Sequence, residues 1–188
     1  MRRIETDYYQ EITAELVKQI QNNIDDEQYV IKPIIGEISS GLRTLIANGY
    51  EAGEYLKDYS LAVHRLHLDI SIIIENRVNK NFEVVIFEIK KVSNLGLSEL
   101  SQLIGYCLVS KAKFGVLINI DKAVSKDFSI ILDGDKDLTN ILRLIDGKKI
   151  CHQLGVMKWN SKTLKIEYTN SGAIKSLPAL AEKIVEIL

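Results

Sequence analysis

The run Leu66-His67-Leu68-Asp69-Ile70-Ser71-Ile72-Ile73-Ile74-Glu75 is followed by a polar turn, Asn76-Arg77-Val78-Asn79-Lys80-Asn81. The chain then returns as Phe82-Glu83-Val84-Val85-Ile86-Phe87-Glu88-Ile89-Lys90-Lys91. These residues decide the fold. Successive side chains of a strand point to opposite faces. Between Leu61 and Glu75, residues Leu66, Leu68, Ile70, Ile72 and Ile74 point one way, and Arg65, His67, Asp69, Ser71 and Ile73 the other. This predicts a strand with Asp69 near its middle. The short Asn-rich turn predicts a hairpin, so the two strands pair antiparallel. Val84-Val85-Ile86-Phe87 is apolar on both faces, which predicts a central strand covered on both sides.

Working outward, Gly96 and Ser98 introduce a helix to about Lys111, with Leu100, Leu103, Ile104, Cys107 and Leu108 as its buried stripe. Lys113 to Ile120 reads as another buried strand. Strand, helix and strand in that order predict a right-handed crossover between parallel strands. Towards the N-terminus, Tyr8, Ile12, Leu16 and Ile20 recur every four residues and predict a helix over 5–24. Tyr29 to Ile35 reads as a short strand, with Pro33 marking an edge or a break. Glu37 to Ala47 fits a helix buried through Ile38, Leu42, Leu45 and Ile46. Beyond residue 120 the pattern predicts a strand near Phe128–Leu132 and a helix near Asp137–Ile145 closed by Asp146-Gly147. A hairpin of Gln153–Trp159 and Thr163–Tyr168 follows, and then a tail helix from Leu177 to Ile187 with Pro178 in its first turn. The expected architecture is α/β, a central mixed β-sheet flanked by helices, in a single domain over residues 1–188.

Composition agrees with a domain of this kind. The chain has 188 residues, 46% of them hydrophobic and 26% charged, enough for one substantial core. No run is long and apolar enough to span a bilayer, so no membrane association is expected. Met1-Arg2-Arg3-Ile4-Glu5-Thr6-Asp7 turns polar at once, which leads us to expect no signal peptide and a cytoplasmic protein. Cys107 and Cys151 have no CxxC neighbour, which speaks against zinc and iron–sulfur sites. The net charge is −1, so any affinity for nucleic acid has to come from a local cleft.

The chemistry concentrates on the hairpin. Glu88 and Lys90 lie two apart on one strand and share a face. Antiparallel pairing can bring Asp69 from the neighbouring strand to the same place. Two carboxylates are a typical protein contribution to a Mg²⁺ site, with waters and phosphate oxygens completing it. A lysine beside such an ion can orient or deprotonate the attacking water.

Asp69 followed by Glu88-Ile89-Lys90 on a strand–turn–strand resembles the PD-(D/E)XK (restriction-endonuclease-like) nuclease superfamily. Its core order is α-β-β-β-α-β, placed here at about residues 37–120, with 121–188 as a C-terminal extension. The resemblance implies Mg²⁺- or Mn²⁺-dependent hydrolysis of DNA. It implies that Asp69, Glu88 and the main-chain carbonyl of Ile89 hold the ion, that Lys90 positions water, and that Glu37 supplies an extra acid from the helix before the meander. Gln102-Leu103-Ile104-Gly105-Tyr106 resembles the Gln-x-x-x-Tyr signature of the RecB-like, Holliday-junction-resolvase-like branch. That likeness adds Gln102 and Tyr106 to the catalytic set. Nucleases of this type cut two strands with two sites, which implies a homodimer, and the late hairpin and tail helix are candidates for its interface. Leu68 stands where the superfamily name has proline, and the iron–sulfur cysteines of some RecB-like proteins are missing.

Plainer readings exist for each residue. Glu-x-Lys occurs on many solvated strand faces, and Glu37 can be a glutamate favoured by a helix dipole. Gln102 and Tyr106 fit ordinary helix surface, and His67 fits a structural histidine. Arg43, Arg65, Lys91, Lys111 and Lys113 fit solvated charges as well as phosphate contacts. The conjunction favours the nuclease. Its rivals are a catalytically inactive DNA-binding or assembly protein on the same fold, and an α/β interaction module without nuclease chemistry.

Overall fold

A computed structural model describes residues 3–122, 124–145 and 147–188. Its sheet is built from β1 (Tyr29–Ile35), β2 (Ile70–Asn76), β3 (Phe82–Lys90), β4 (Phe114–Ile120), β5 (Asn140–Ile145), β6 (Lys148–Asn160) and β7 (Lys165–Gly172). The order across the sheet is β1-β2-β3-β4-β6-β5, with β7 also paired to β6. β2 is antiparallel to β1 and β3, and β3, β4 and β6 run parallel. The expected mixed α/β architecture is present.

The helices are α1 (Tyr9–Gln21), α2 (Ile38–Ala47), α3 (Glu54–Ala62), α4 (Leu97–Ser110), α5 (Lys126–Gly134) and α6 (Leu177–Val185). One face of the sheet packs Ile70, Ile72, Ile74, Phe87 and Ile89 against Ile12, Leu16 and Ile20 of α1 and Leu180 and Ile184 of α6. The other packs Ile73, Val84, Ile86 and Leu117 against α2, α3, α4 and α5 through Leu42, Leu56, Leu103 and Leu132. Every residue of β2 and β4 is buried, and β3 is buried from Glu83 to Ile89. Continuous apolar strands are what a sheet covered on both faces requires. Pro33 sits on β1, an edge strand where its missing N–H leaves no gap in the ladder.

Several expectations are corrected. The alternation from Leu61 is not a strand: α3 runs to Ala62 and β2 begins only at Ile70. Leu56 and Val63, seven apart on a helical stripe, are buried, while Leu61 is exposed. Asp69 therefore stands at the mouth of β2 and not at its middle. Phe128–Leu132 is helical in α5, where Ser125 caps the first turn by accepting from the Phe128 N–H at 3.2 Å. Asn140–Ile145 is strand β5 and not helix; Leu142 and Leu144, which mimicked a helical stripe, project into solvent from it. The closing Asp146 of that expected helix lies outside the described residues. β6 and β7 form the expected hairpin but extend further, and β6 joins the main sheet beside β4.

The helix, three strands, helix and strand of the expected order run α1-β1-β2-β3-α4-β4, with α2 and α3 between β1 and β2. The leading helix is thus α1, not the helix that starts after Glu37. The tail helix α6 buries Leu177, Leu180, Ala181 and Ile184 in the core beside α1, so its apolar face is occupied within the chain. Among the described residues no helix is long and apolar enough to cross a membrane.

Candidate active site

The antiparallel register of β2 and β3 pairs Ile70 with Phe87, which sets Asp69 beside the end of β3. The Ile89 N–H, between Glu88 and Lys90, donates to Asp69 Oδ2 at 2.8 Å. The other carboxylate oxygen, Oδ1, accepts from the Tyr9 hydroxyl at 2.6 Å. The Gly36 N–H donates to the Asp69 carbonyl at 3.2 Å and ties the end of β1 to the same point. Asp69 is thus held at its main chain and at both carboxylate oxygens.

Glu88 is 1% exposed and accepts from Lys90 Nζ at 2.6 Å. Burial pushes its carboxyl up to about 7; the Lys90 hydrogen bond opposes this, and the negative charge of Asp69 and Glu5 adds to it. Burial works against the Lys90 ammonium, but the hydrogen bond and charge of Glu88 outweigh it, and its pKa is raised. In this geometry Lys90 is a charged donor to Glu88.

Sequence reasoning missed two residues. Tyr9 falls within the helix expected over 5–24 and drew no functional reading, yet its hydroxyl reaches Asp69. Burial, followed by its hydrogen bond to Asp69, raises its pKa and keeps it a donor. Glu5, one helical turn earlier, lies 3.3 Å from the Tyr9 hydroxyl and accepts from the Lys91 N–H at 2.9 Å. A polar-tipped tyrosine four residues after a glutamate is the signal that was available.

Glu37 follows Gly36 at the Asp69 end of β1, but its side chain is engaged locally. It precedes α2, and its carboxylate folds back on Ser39 and on Ser40, 3.2 Å away. Those hydroxyl hydrogen bonds, the Ser39 one foremost, lower its pKa. Gln102 and Tyr106 bond to each other at 3.0 Å on the outer side of α4, and among the described residues no hydrogen bond joins them to Asp69, Glu88 or Lys90. His67 is exposed, and Lys113 is paired with Glu83. Lys91 Nζ sits 4.7 Å over the Tyr8 ring. A cleft of about 350 Å³, lined in part by Lys91, Ser93, Asp121 and Lys122, opens at the same end of β3 and β4.

The donor chemistry fits a hard divalent ion. Asp69 and Glu88 are carboxylates, and the charge of Asp69 adds to the raised proton affinity of the buried Glu88, which added positive charge would relieve. Among the described residues no group of three or more His, Cys, Asp or Glu is arranged to hold a metal. The arrangement therefore suits an ion held by a carboxylate pair and completed by water, main chain or substrate oxygens.

Residues 60–130 match a family model described as the PD-(D/E)XK nuclease superfamily. That segment contains Asp69, Glu88, Lys90, Gln102 and Tyr106, and the expected resemblance to the superfamily is borne out. The match does not distinguish a RecB-like branch. No curated protein matches the chain. A similar solved structure is the crystal structure of the pre-specific restriction endonuclease BsaWI–DNA complex, at 14% identity and a TM-score of 0.39. The match covers 81% of this chain and 51% of that one, so the chain spans about half its length.

Proposed function

We propose that this chain, whose residues 60–130 carry the PD-(D/E)XK pattern, is a metal-dependent deoxyribonuclease with its active site at Asp69, Glu88 and Lys90. One observation carries the reading. The Ile89 N–H, between Glu88 and Lys90, is bonded to the Asp69 carboxylate, so one acid at the start of β2 is held against the main chain that carries a second acid and its paired ammonium. A salt-bridged surface pair would not need a carboxylate that is 1% exposed.

A bound Mg²⁺ or Mn²⁺ supplies Lewis acidity to a phosphodiester oxygen and a more acidic water. Asp69 and Glu88, and the Ile89 carbonyl beside them, would hold that ion. The Ile89 and Tyr9 donors keep the Asp69 carboxylate from rotating away. Lys90 presents a charged N–H donor that can orient the attacking water or stabilise charge on the phosphoryl oxygens. Lys91 and Lys122 line the neighbouring cleft, where the flanking DNA phosphates would lie. Overall, a P–O bond forms to water, the P–O bond opposite it breaks, the water gives up a proton to solvent, and the leaving oxygen takes one from solvent to become a hydroxyl. We extend the proposal to a homodimer in a cytoplasmic setting, with a site for each strand of a duplex.

The test is incubation with plasmid, linear, branched and single-stranded DNA in Mg²⁺ or Mn²⁺, alongside Asp69→Ala and Lys90→Ala. Metal-dependent cleavage that both variants lose is the expected result. Cleavage that survives in either variant, or no cleavage of any substrate, refutes the assignment.

A further inference from the structure

A second concavity lies at the other end of β1 and β2. Its volume is about 410 Å³, within the span of about 300–1,000 Å³ common for ligand sites. Lys32 of β1, Tyr50 and Glu51 of the α2–α3 loop, Asn48, and Arg77 and Lys80 of the β2–β3 turn line it. Three cations therefore face one exposed acid, in a chain whose net charge is −1.

These cations are held in place. Lys32 Nζ lies 5.2 Å over the Tyr50 ring. Lys80 Nζ lies 3.6 Å from Oε1 of Glu75, a fully buried carboxylate oxygen with no hydrogen-bond partner. The other oxygen of Glu75 accepts from the Tyr50 hydroxyl at 2.6 Å, so one buried acid anchors both a cation and the aromatic wall. Arg77 donates through Nε to the Asp26 carbonyl at 3.3 Å, and among the described residues no hydrogen bond takes its terminal nitrogens, which suit two oxygens of a phosphate. Anchoring of this kind lowers the ordering cost of binding.

The concavity is separate from the catalytic end. α2 spans ten residues, about 15 Å at 1.5 Å per residue, and runs from Glu37 beside the Asp69 end to Asn48 in the cavity wall. Lys32 and Glu88 belong to the same side of the sheet as α2.

We propose that this concavity is an anion site that takes a nucleotide phosphate through Lys32, Arg77 and Lys80. The phosphate is supplied either by a free nucleotide or by a nucleic-acid strand. Phosphate is favoured over a carboxylate because a guanidinium fork and two ammonium groups line one space larger than a single small anion. The site does not depend on the nuclease reading.

The experiment measures binding of inorganic phosphate, deoxyadenosine monophosphate and a short single-stranded oligonucleotide in EDTA, where metal-dependent cleavage is off. The protein is compared with Lys32→Gln/Arg77→Gln. Affinity for at least one probe is expected to fall roughly tenfold or more, as for loss of charge-assisted contacts. Loss with the mononucleotide identifies a free nucleotide. Loss with the oligonucleotide alone, and a salt slope shallower by about 1.4 for two lost single-strand contacts, identifies a strand. Glu51→Lys, on the exposed wall, is expected to tighten the same probe and covers the case in which the double variant does not fold. Affinity unchanged in both variants, or no binding of any probe, overturns the proposal. Anion binding by a protein that cuts nothing would refute the nuclease and leave this site standing.

Discussion

The Tyr9 hydroxyl donates to Asp69 Oδ1 at 2.6 Å, across sixty residues of chain. This bond links the first helix to the mouth of the hairpin and fixes the rotamer of the acid that the proposed chemistry needs. Partners of this kind orient metal ligands, and their loss typically costs about 10–100-fold in metal affinity or activity.

Tyr9→Phe should therefore lower cleavage by about tenfold or more and shift the Mn²⁺ dependence to higher concentration. It should cost only about 1–3 kcal/mol of stability, since one acceptor on a half-buried carboxylate loses its partner. Metal titrations of cleavage, with urea unfolding alongside, separate the two effects. Unchanged metal dependence would remove Tyr9 from a positioning role.

The extra acid can be assigned by comparing two substitutions. Glu5 faces the Tyr9–Asp69 pair and raises the pKa of Glu88, whereas the Glu37 carboxylate accepts from the Ser39 and Ser40 hydroxyls of its own helix start. Glu5→Gln should lower cleavage several-fold or more. Glu37→Gln should leave it nearly unchanged and cost only the small net worth of a side-chain hydrogen bond. The reverse ranking would restore Glu37 as the fourth acid.

Metal and proton should compete at Glu88. Its folded value of about 7 stands above its ordinary 4.5. A raised value means that the stability from protonated Glu88 is complete below pH 4.5 and is lost as pH rises through 7. In EDTA the melting temperature should therefore decline across that window. Mn²⁺ should raise it more at pH 8 than at pH 5, because the ion binds the carboxylate form. An equal metal effect at both pH values would argue against Glu88 as a ligand.

Gly155 offers a structural test remote from catalysis. A Cβ there would stand 2.6 Å from the Ile174 carbonyl oxygen, where β6 bulges against β7. The obstacle is backbone, so Gly155→Ala should destabilise by about 1–3 kcal/mol. Gly105→Ala, with open space at its Cβ, should be neutral or stabilising by about 1 kcal/mol. Chemical denaturation of the two variants checks the contrast.

Much of this was legible in the chain. Asp69, Glu88 and Lys90 could be found because strand periodicity and a short turn together determine which side chains meet. α1 and α4 were readable because their apolar stripes are long and each faces one core, and β3 because its apolar run faces both. The failures share a cause. Leu142 and Leu144 are exposed apolar residues on an edge strand, so their pattern carried no information about burial. Ser125 decided α5 by capping, a local signal outweighed by the apolar Phe128–Leu132 run. Glu5 and Tyr9 were not read as site residues because their four-residue spacing shows only that they share a helix face, while their role depends on α1 lying across the end of β3.

The placement of β6 has a bearing on how the chain comes off the ribosome. β4 is an interior strand, yet its second neighbour arrives only with residues Gln153–Trp159. Until then, nascent chains hold Asp69, Glu88 and Lys90 but leave the apolar Phe114–Ile120 edge unpaired. An open, flat, hydrophobic edge is a template for pairing with another chain. Stop codons between residues 121 and 152 should therefore yield insoluble fragments, even though every proposed catalytic residue has been translated.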